Sequence, residues 1–230
     1  YFLFLICAYS SAHSLNKSFV YLNDVAPTII QELRYFSNNN FVGRVISGYK
    51  ANKCILTIKA ATALAKVQTR LNKKGYSLVV YDCYRPQMAV NDFYNWSKNL
   101  NQSMKQQFYP RENKKNLFKR GYIARFSGHS RGSTVDLSIY SNIKSKGKLK
   151  TCYSQKRLMD KSLDMGTNYD CLDHFSYVRS KAISKQARTN RKLLSRLMQQ
   201  QGFKPYYKEW WHFSLRDEPF PKKYFNFPVK

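Results

Sequence analysis

The sequence predicts an α+β fold in a single domain: a small antiparallel sheet with helices packed on one side. Three observations carry this expectation. Val135-Asp136-Leu137-Ser138-Ile139 alternates apolar and polar residues, the period of a half-buried strand, and Ser77-Leu78-Val79-Val80-Tyr81 reads as a buried one. Residues 56–73 and 181–201 repeat apolar residues at helical spacing, with polar and basic residues between. No internal repeat or second domain interrupts these runs, and 230 residues suffice for one proper core.

The elements follow in order. Tyr1-Phe2-Leu3-Phe4-Leu5-Ile6-Cys7-Ala8 is apolar, and Ser10-Ser11-Ala12 offers the small residues that a signal peptidase prefers. Residues 1–12 are therefore expected to be the C-terminal part of a secretory signal peptide, with the domain at 13–230. A buried strand or short helix is the alternative. Residues 13–25 read as extended. Residues 27–34 form a short amphipathic piece with Ile29, Ile30 and Leu33, and residues 37–40 a turn. In the helix over 56–73, Leu56, Ile58, Ala61, Leu64, Ala65, Val67 and Leu71 face inward, and Gly75 stops it. Pro86 can open the next helix at its first turn, and that helix runs to about Lys98. Residues 99–124 are polar and irregular, a loop with a helical piece expected to lie over the site. Residues 141–151 form a basic, hairpin-like loop. The helix over 181–201 turns Ile183, Leu193, Leu194, Leu197 and Met198 inward and ends at Gly202. Residues 203–215 give the last strands.

Composition bounds the partners. Forty Lys+Arg against 13 Asp+Glu give a formal net charge of +27. Such a balance points to nucleic acid or an anionic surface. The cations are spread along the chain, however, and the clusters at 144–150 and 188–196 lack the interleaved aromatics of an RNA-binding surface. No nucleic acid is expected. An exported, periplasmic bacterial protein would associate loosely with anionic cell-envelope polymers, most of the charge being a solvated surface. No stretch reaches the roughly 18 apolar residues of a membrane span.

Beyond Cys7, four cysteines remain: Cys54, Cys83, Cys152 and Cys171. An even number in an exported chain suggests disulfides, and four cysteines allow three pairings. Sequence alone does not settle which. The pairing expected here is Cys152–Cys171, which flank one loop, with Cys54–Cys83; free buried thiols are the alternative.

The chemistry gathers in residues 127–136, Ser-Gly-His-Ser-Arg-Gly-Ser-Thr-Val-Asp. Strand alternation puts Asp136 and Ser138 on one face and Val135, Leu137 and Ile139 on the other, core face. Gly132 permits a backbone turn that returns His129 beside Asp136. Imidazole and carboxylate suit zinc, which needs a third protein ligand and a nearby carboxylate to take a proton from water. Glu209-Trp210-Trp211-His212 supplies both, with His212 as ligand and Glu209 as proton acceptor. A lone histidine is more often structural, but two of only four in the chain fall in these motifs. Glu209 and His212 are three apart, so a bulge or turn must bring them to one face. Arg85 offers a guanidinium suited to a developing oxyanion, or else a structural partner for Asp82.

Together, Ser127-x-His129-x-x-Gly132-x-x-x-Asp136 and Glu209-x-x-His212 resemble the zinc D-Ala-D-Ala dipeptidases of the VanX type, within the wider group of zinc D,D-peptidases that act on peptidoglycan peptides. Tyr35, residues 39–43, Tyr81-Asp82-Cys83-Tyr84-Arg85-Pro86, residues 165–170 and the C-terminal residues 215–225 extend the resemblance over nearly all of the chain after the first two dozen residues. The resemblance implies one Zn²⁺ per chain on His129, Asp136 and His212, with Glu209 as general base. Arg85 would stabilise the transition state with Asp82 close to it, and Asp170 would bind the free amine of a D-Ala-D-Ala substrate. Tyr35 and Ser127 would lie against the substrate. Residues 173–177, Asp-His-Phe-Ser-Tyr, stand where the family has an acidic residue and a Ser-His pair, so His174 is not expected to be a ligand. A D,D-carboxypeptidase on peptidoglycan stems and a non-catalytic binder of anionic wall polymer are the alternatives.

Overall fold

In a computed structural model describing residues 15–140, 151–153 and 162–230, seven strands and five α-helices are laid down among the described residues. They are β1 (Phe19–Tyr21), α1 (Leu22–Val25), β2 (Ile30–Gln31), β3 (Ile55–Thr57), α2 (Ile58–Asn72), β4 (Ser77–Asp82), α3 (Gln87–Lys98), α4 (Lys105–Phe108), β5 (Thr134–Tyr140), α5 (Lys185–Gln199), β6 (Phe203–Tyr206) and β7 (Glu209–Leu215). The expected signal segment and residues 141–150 of the basic loop lie outside the described residues.

The main sheet has the order β2-β4-β5-β7-β6. Its pairings are antiparallel except at one edge, where the two-residue β2 runs parallel to β4. Val135, Leu137 and Ile139 of β5 join Leu78, Val79 and Val80 of β4 in one apolar core with Leu64, Val67 and Leu71 of α2 and Leu194, Leu197 and Met198 of α5. The periodicities single out these residues, but Ile58, in the same helical series, is exposed at the start of α2. A second apolar cluster gathers Ala89, Phe93 and Trp96 of α3 with Tyr35, Phe41 and Ile123.

Local signals set the boundaries. Leu56 and Thr57 belong to a strand rather than to the helix expected from 56, because β3 pairs with β1 in a separate two-stranded sheet. The helix then starts after Thr57, whose side chain accepts the Ala60 amide, and Ser184 caps α5 in the same way through Ala187. α5 thus spans less than the expected 181–201. Pro86 is the residue before α3 rather than its first turn. Residues 99–124 hold only the four-residue α4 and one short 3₁₀ turn, Lys114–Asn116, as their polarity indicates. Among the described residues no helix is long and apolar enough to cross a membrane.

Two disulfides close, Cys54–Cys83 and Cys152–Cys171, as expected. The first ties the segment before β3 to the end of β4 across 29 residues. Chain entropy assigns a loop of that size about 3–4 kcal/mol. Replacing Cys54 and Cys83 together by Ala should lower unfolding stability by that amount in urea titrations with chelator present. A midpoint equal to wild type would mean that packing alone holds the end of β4.

Candidate active site

Three strands put a row of polar side chains across the sheet. Their register opposes Asp82 of β4 to Asp136 of β5, and Asp136 to His212 of β7. Side chains directly opposite on neighbouring strands share one face. Here it is the face away from Val135 and Leu137, as the alternation in β5 predicts.

His129 reaches the same place from a 3₁₀ turn, Gly128–Arg131, that precedes β5. Ser127 caps this turn through the His129 amide. Gly132 ends it at φ 82°, and a β-carbon there would also meet the Phe19 ring at 2.2 Å. Glycine is thus required twice over at the point where the chain turns back. The His129 Nδ1–H donates to the Cys83 carbonyl at 2.7 Å, which leaves the Nε2 lone pair facing the sheet.

His129 Nε2, Asp136 Oδ1 and His212 Nδ1 form a nearly equilateral triangle. Its sides are 3.3 Å between the two nitrogens, 3.3 Å from His129 to Asp136 and 3.1 Å from His212 to Asp136. Ligand atoms about 2.0–2.1 Å from a tetrahedral ion lie about 3.3 Å from one another. Among the described residues, buried Asp136 Oδ1 has only the two imidazole nitrogens as polar neighbours. Burial, the dominant influence, lowers the His212 pKa although Asp136 opposes it, so this imidazole is neutral and able to ligate. Burial would raise Asp136, yet the two histidines hold it well below the usual carboxylate range. Geometry and donor chemistry therefore fit a divalent metal at His129, Asp136 and His212.

Glu209 reaches this group through an irregularity in β7. Pro205 pairs with Phe213, but Tyr206 pairs with Glu209, so residues 210–212 bulge from the hairpin. Glu209 Oε2 comes within 3.4 Å of His212 Nδ1, the kind of irregularity that the three-residue spacing demands. Burial and then the charges of Asp136 and Asp170 push its carboxyl well above the usual range.

Arg85 directs Nε and Nη2 to Asp82 Oδ2 at 2.8 Å each, with Asp136 Oδ2 3.6 Å from Nη2. Its guanidinium also lies over the rings of Tyr35 and Phe93. The structural pair with Asp82 thus exists, and it leaves the guanidinium beside the ligand row. Asp170 Oδ2 accepts the Tyr35 hydroxyl at 2.9 Å. Burial, with the Asp136 charge, pushes the Asp170 carboxyl up to about 8.

These groups line one cavity of ≈ 230 Å³ that includes Tyr35, Arg85, Ser127, Asp170 and Glu209. Ile123 and Ala124 from the irregular 99–124 segment also line it, as expected of a segment lying over the site. His174 stays apart, exposed and 3.3 Å from Arg111 Nη2.

Two polar neighbours escape a reading of the sequence. The Tyr49 hydroxyl donates to Asp82 Oδ1 at 2.5 Å, and the Tyr169 hydroxyl to Asp136 Oδ2 at 3.2 Å. Tyr169 has a cue in its position before Asp170. Tyr49 has none, being 33 residues from the carboxylate that it meets.

A sheet bearing a His-Asp-His group, flanked by a carboxyl and a guanidinium in a small cavity, fits metal-assisted hydrolysis. Comparison specifies which kind. Residues 15–230 match the peptidase M15 family, described as D-ala-D-ala dipeptidase. The chain is 34% identical over 213 residues to the D-alanyl-D-alanine dipeptidase of Enterococcus faecium, covering 92% of this chain and 98% of that protein. The enzyme of the same name from Streptomyces coelicolor is 34% identical over 216 residues, 94% of this chain and 100% of its own. The Escherichia coli enzyme of that name is 31% identical over 197 residues, covering 83% and 81%. The chain belongs to this family of dipeptidases.

Asp82 is fully buried and is the principal partner of a buried guanidinium. Asp82→Ala should therefore cost about 3–5 kcal/mol, the usual penalty for leaving one member of a buried pair uncompensated. Denaturant unfolding of chelator-treated protein measures this without interference from metal binding. A loss below 1 kcal/mol would show that Arg85 finds its charge balance elsewhere.

Proposed function

We propose that this protein is a zinc-dependent dipeptidase that hydrolyses D-Ala-D-Ala to two D-alanines. The observation that carries the reading is the His129–Asp136–His212 triangle with a proton-accepting carboxyl, Glu209, on one side and a second buried carboxyl, Asp170, in the same cavity. One zinc ion held by His129, Asp136 and His212 supplies Lewis acidity at the scissile carbonyl and the attacking water.

The chain's own residues do the rest. Glu209 takes a proton from the attacking water and passes it to the leaving amine. Arg85 faces the oxyanion that develops at the carbonyl, a donor role worth about 3–4 kcal/mol in comparable sites. Asp82, braced by Tyr49, keeps that guanidinium in place. Asp170 pairs with the free ammonium of the dipeptide, and the Tyr35 hydroxyl orients its carboxylate. Ser127 contacts the substrate from the mouth of the His129 turn. A carboxylate closing the amine end of a small cavity favours a dipeptide over a longer stem, where that nitrogen is acylated and uncharged.

The biological setting belongs to the same proposal. The apolar start of the chain and its disulfides support export to the periplasm, where the activity would recover D-alanine from cell-wall peptides. A surface with this excess of cations would associate loosely with anionic envelope polymers.

D-alanine release tests the assignment. Zinc-loaded protein should release it from D-Ala-D-Ala and leave a stem pentapeptide intact. Glu209→Gln should lower kcat about 10²–10⁴-fold with zinc content unchanged. Release from the pentapeptide instead would make the protein a D,D-carboxypeptidase, and release from neither would leave a non-catalytic binder. Carboxyl titration of the metal-free protein gives a second check. Burial raises the pKa values of Glu209 and Asp170, so on acidification each takes up its proton before an ordinary carboxyl does. Titration of both in the ordinary carboxylate range would show that burial does not govern these two groups.

A further inference from the structure

Asp170 is the one non-glycine residue at positive φ, 57°, among the described residues. Asp tolerates this left-handed region better than most side chains, and here its surroundings hold it there. Three sets of bonds do so. The Asp170 carboxylate accepts the Tyr35 hydroxyl. Thr167 Oγ1, three residues earlier, accepts Trp210 Nε1–H at 2.8 Å. Cys152 grips the loop on both sides of Asp170: its carbonyl accepts the Asn168 amide at 2.8 Å, and its sulfur is bonded to Cys171. Both cysteines are fully buried.

The two disulfides stand at different walls of the cavity. Cys83 lies between Asp82 and Arg85 and offers its carbonyl to His129, so Cys54–Cys83 supports the ligand and guanidinium side. Cys152–Cys171 supports the side that carries Asp170. Tyr169, which reaches Asp136, has its own fixation: its ring stacks on Tyr81 at 4.7 Å and meets Trp211 edge-on at 5.5 Å. The ligand row therefore does not depend on Cys152.

We propose that the Cys152–Cys171 disulfide is the positioning element of Asp170, and that through it the bond sets the affinity for a substrate with a free ammonium group. This inference rests on the reading of Asp170 as the ammonium-binding carboxylate. Without the bond, among the described residues one backbone hydrogen bond from Asn168 links Cys152 to the loop, and the left-handed residue relaxes. The reacting groups on β5 and β7 stay in place. The protein keeps its chemistry and loses its hold on the dipeptide.

The test is a double-mutant cycle on zinc-loaded protein, with D-Ala-D-Ala as substrate. Replacing Cys152 and Cys171 together by Ala should raise KM about tenfold, the lower range for a misplaced binding group, and leave kcat within about twofold. In an Asp170→Asn background the same two substitutions should raise KM no further. An unchanged KM, a parallel fall in kcat, or a full additional KM rise in the Asp170→Asn background would overturn the inference. Amide hydrogen exchange supplies a readout independent of activity. Protection at Asn168 and Cys171 should drop in the cysteine variant while β5 and β7 keep theirs; unchanged protection at Asn168 and Cys171 would refute the clamp. If wild-type protein hydrolyses no dipeptide, the functional reading fails by itself and the exchange result still decides whether the disulfide holds the loop.

Discussion

Four carboxyl groups, Asp82, Asp136, Asp170 and Glu209, are buried around a single guanidinium, that of Arg85. Taking anions out of water is costly unless positive charge accompanies them. One arginine cannot balance four carboxylates, and the imbalance governs the whole site. Asp136 stays ionised because two imidazoles face it, whereas Asp170 and Glu209 are driven upward. A divalent cation is a charge that such a cluster accommodates. Tyrosine rings close around the group, so the field between its charges is weakly screened.

A cluster under this strain needs a frame that does not relax. The long helices α2 and α5 pack on the apolar side of the sheet and hold the strands beneath the site. Three neighbouring strands then fix Asp82, Asp136 and His212 by register, which specifies position more tightly than a loop does. The parts that come from irregular backbone are each pinned separately: His129 by a glycine turn and a carbonyl, Glu209 by the bulge in β7, and Asp170 by hydrogen bonds and a disulfide. Cross-links thus appear where the sheet does not reach.

Much of this could be read along the chain. The alternation around Asp136 places its carboxylate opposite the core, and the helical periods mark the residues of α2 and α5 that reach the core. Glu209 and His212 require an irregular strand because of their spacing, and β7 is irregular there. Less legible were the ends of elements. Leu56 satisfies a helical period but is claimed by pairing with β1, a partner more than thirty residues away. The polar stretch 99–124 has too few apolar residues to propagate a long helix, and it supplies Ile123 to the cavity wall only because of where the chain leads it.

The sequence by itself determined the residue types, the strand and helix periods, and the family, because these depend on local spacing and on order along the chain. Only the tertiary structure decided that Tyr49 would brace Asp82, that Tyr169 would reach Asp136, and that Cys152 would hold the loop on both sides of Asp170. It also decided the electrostatics, since carboxyls distant in the chain alter one another's protonation only when folding brings them together out of water. Local pattern is a property of neighbours in sequence; charge balance and bracing are properties of neighbours in space.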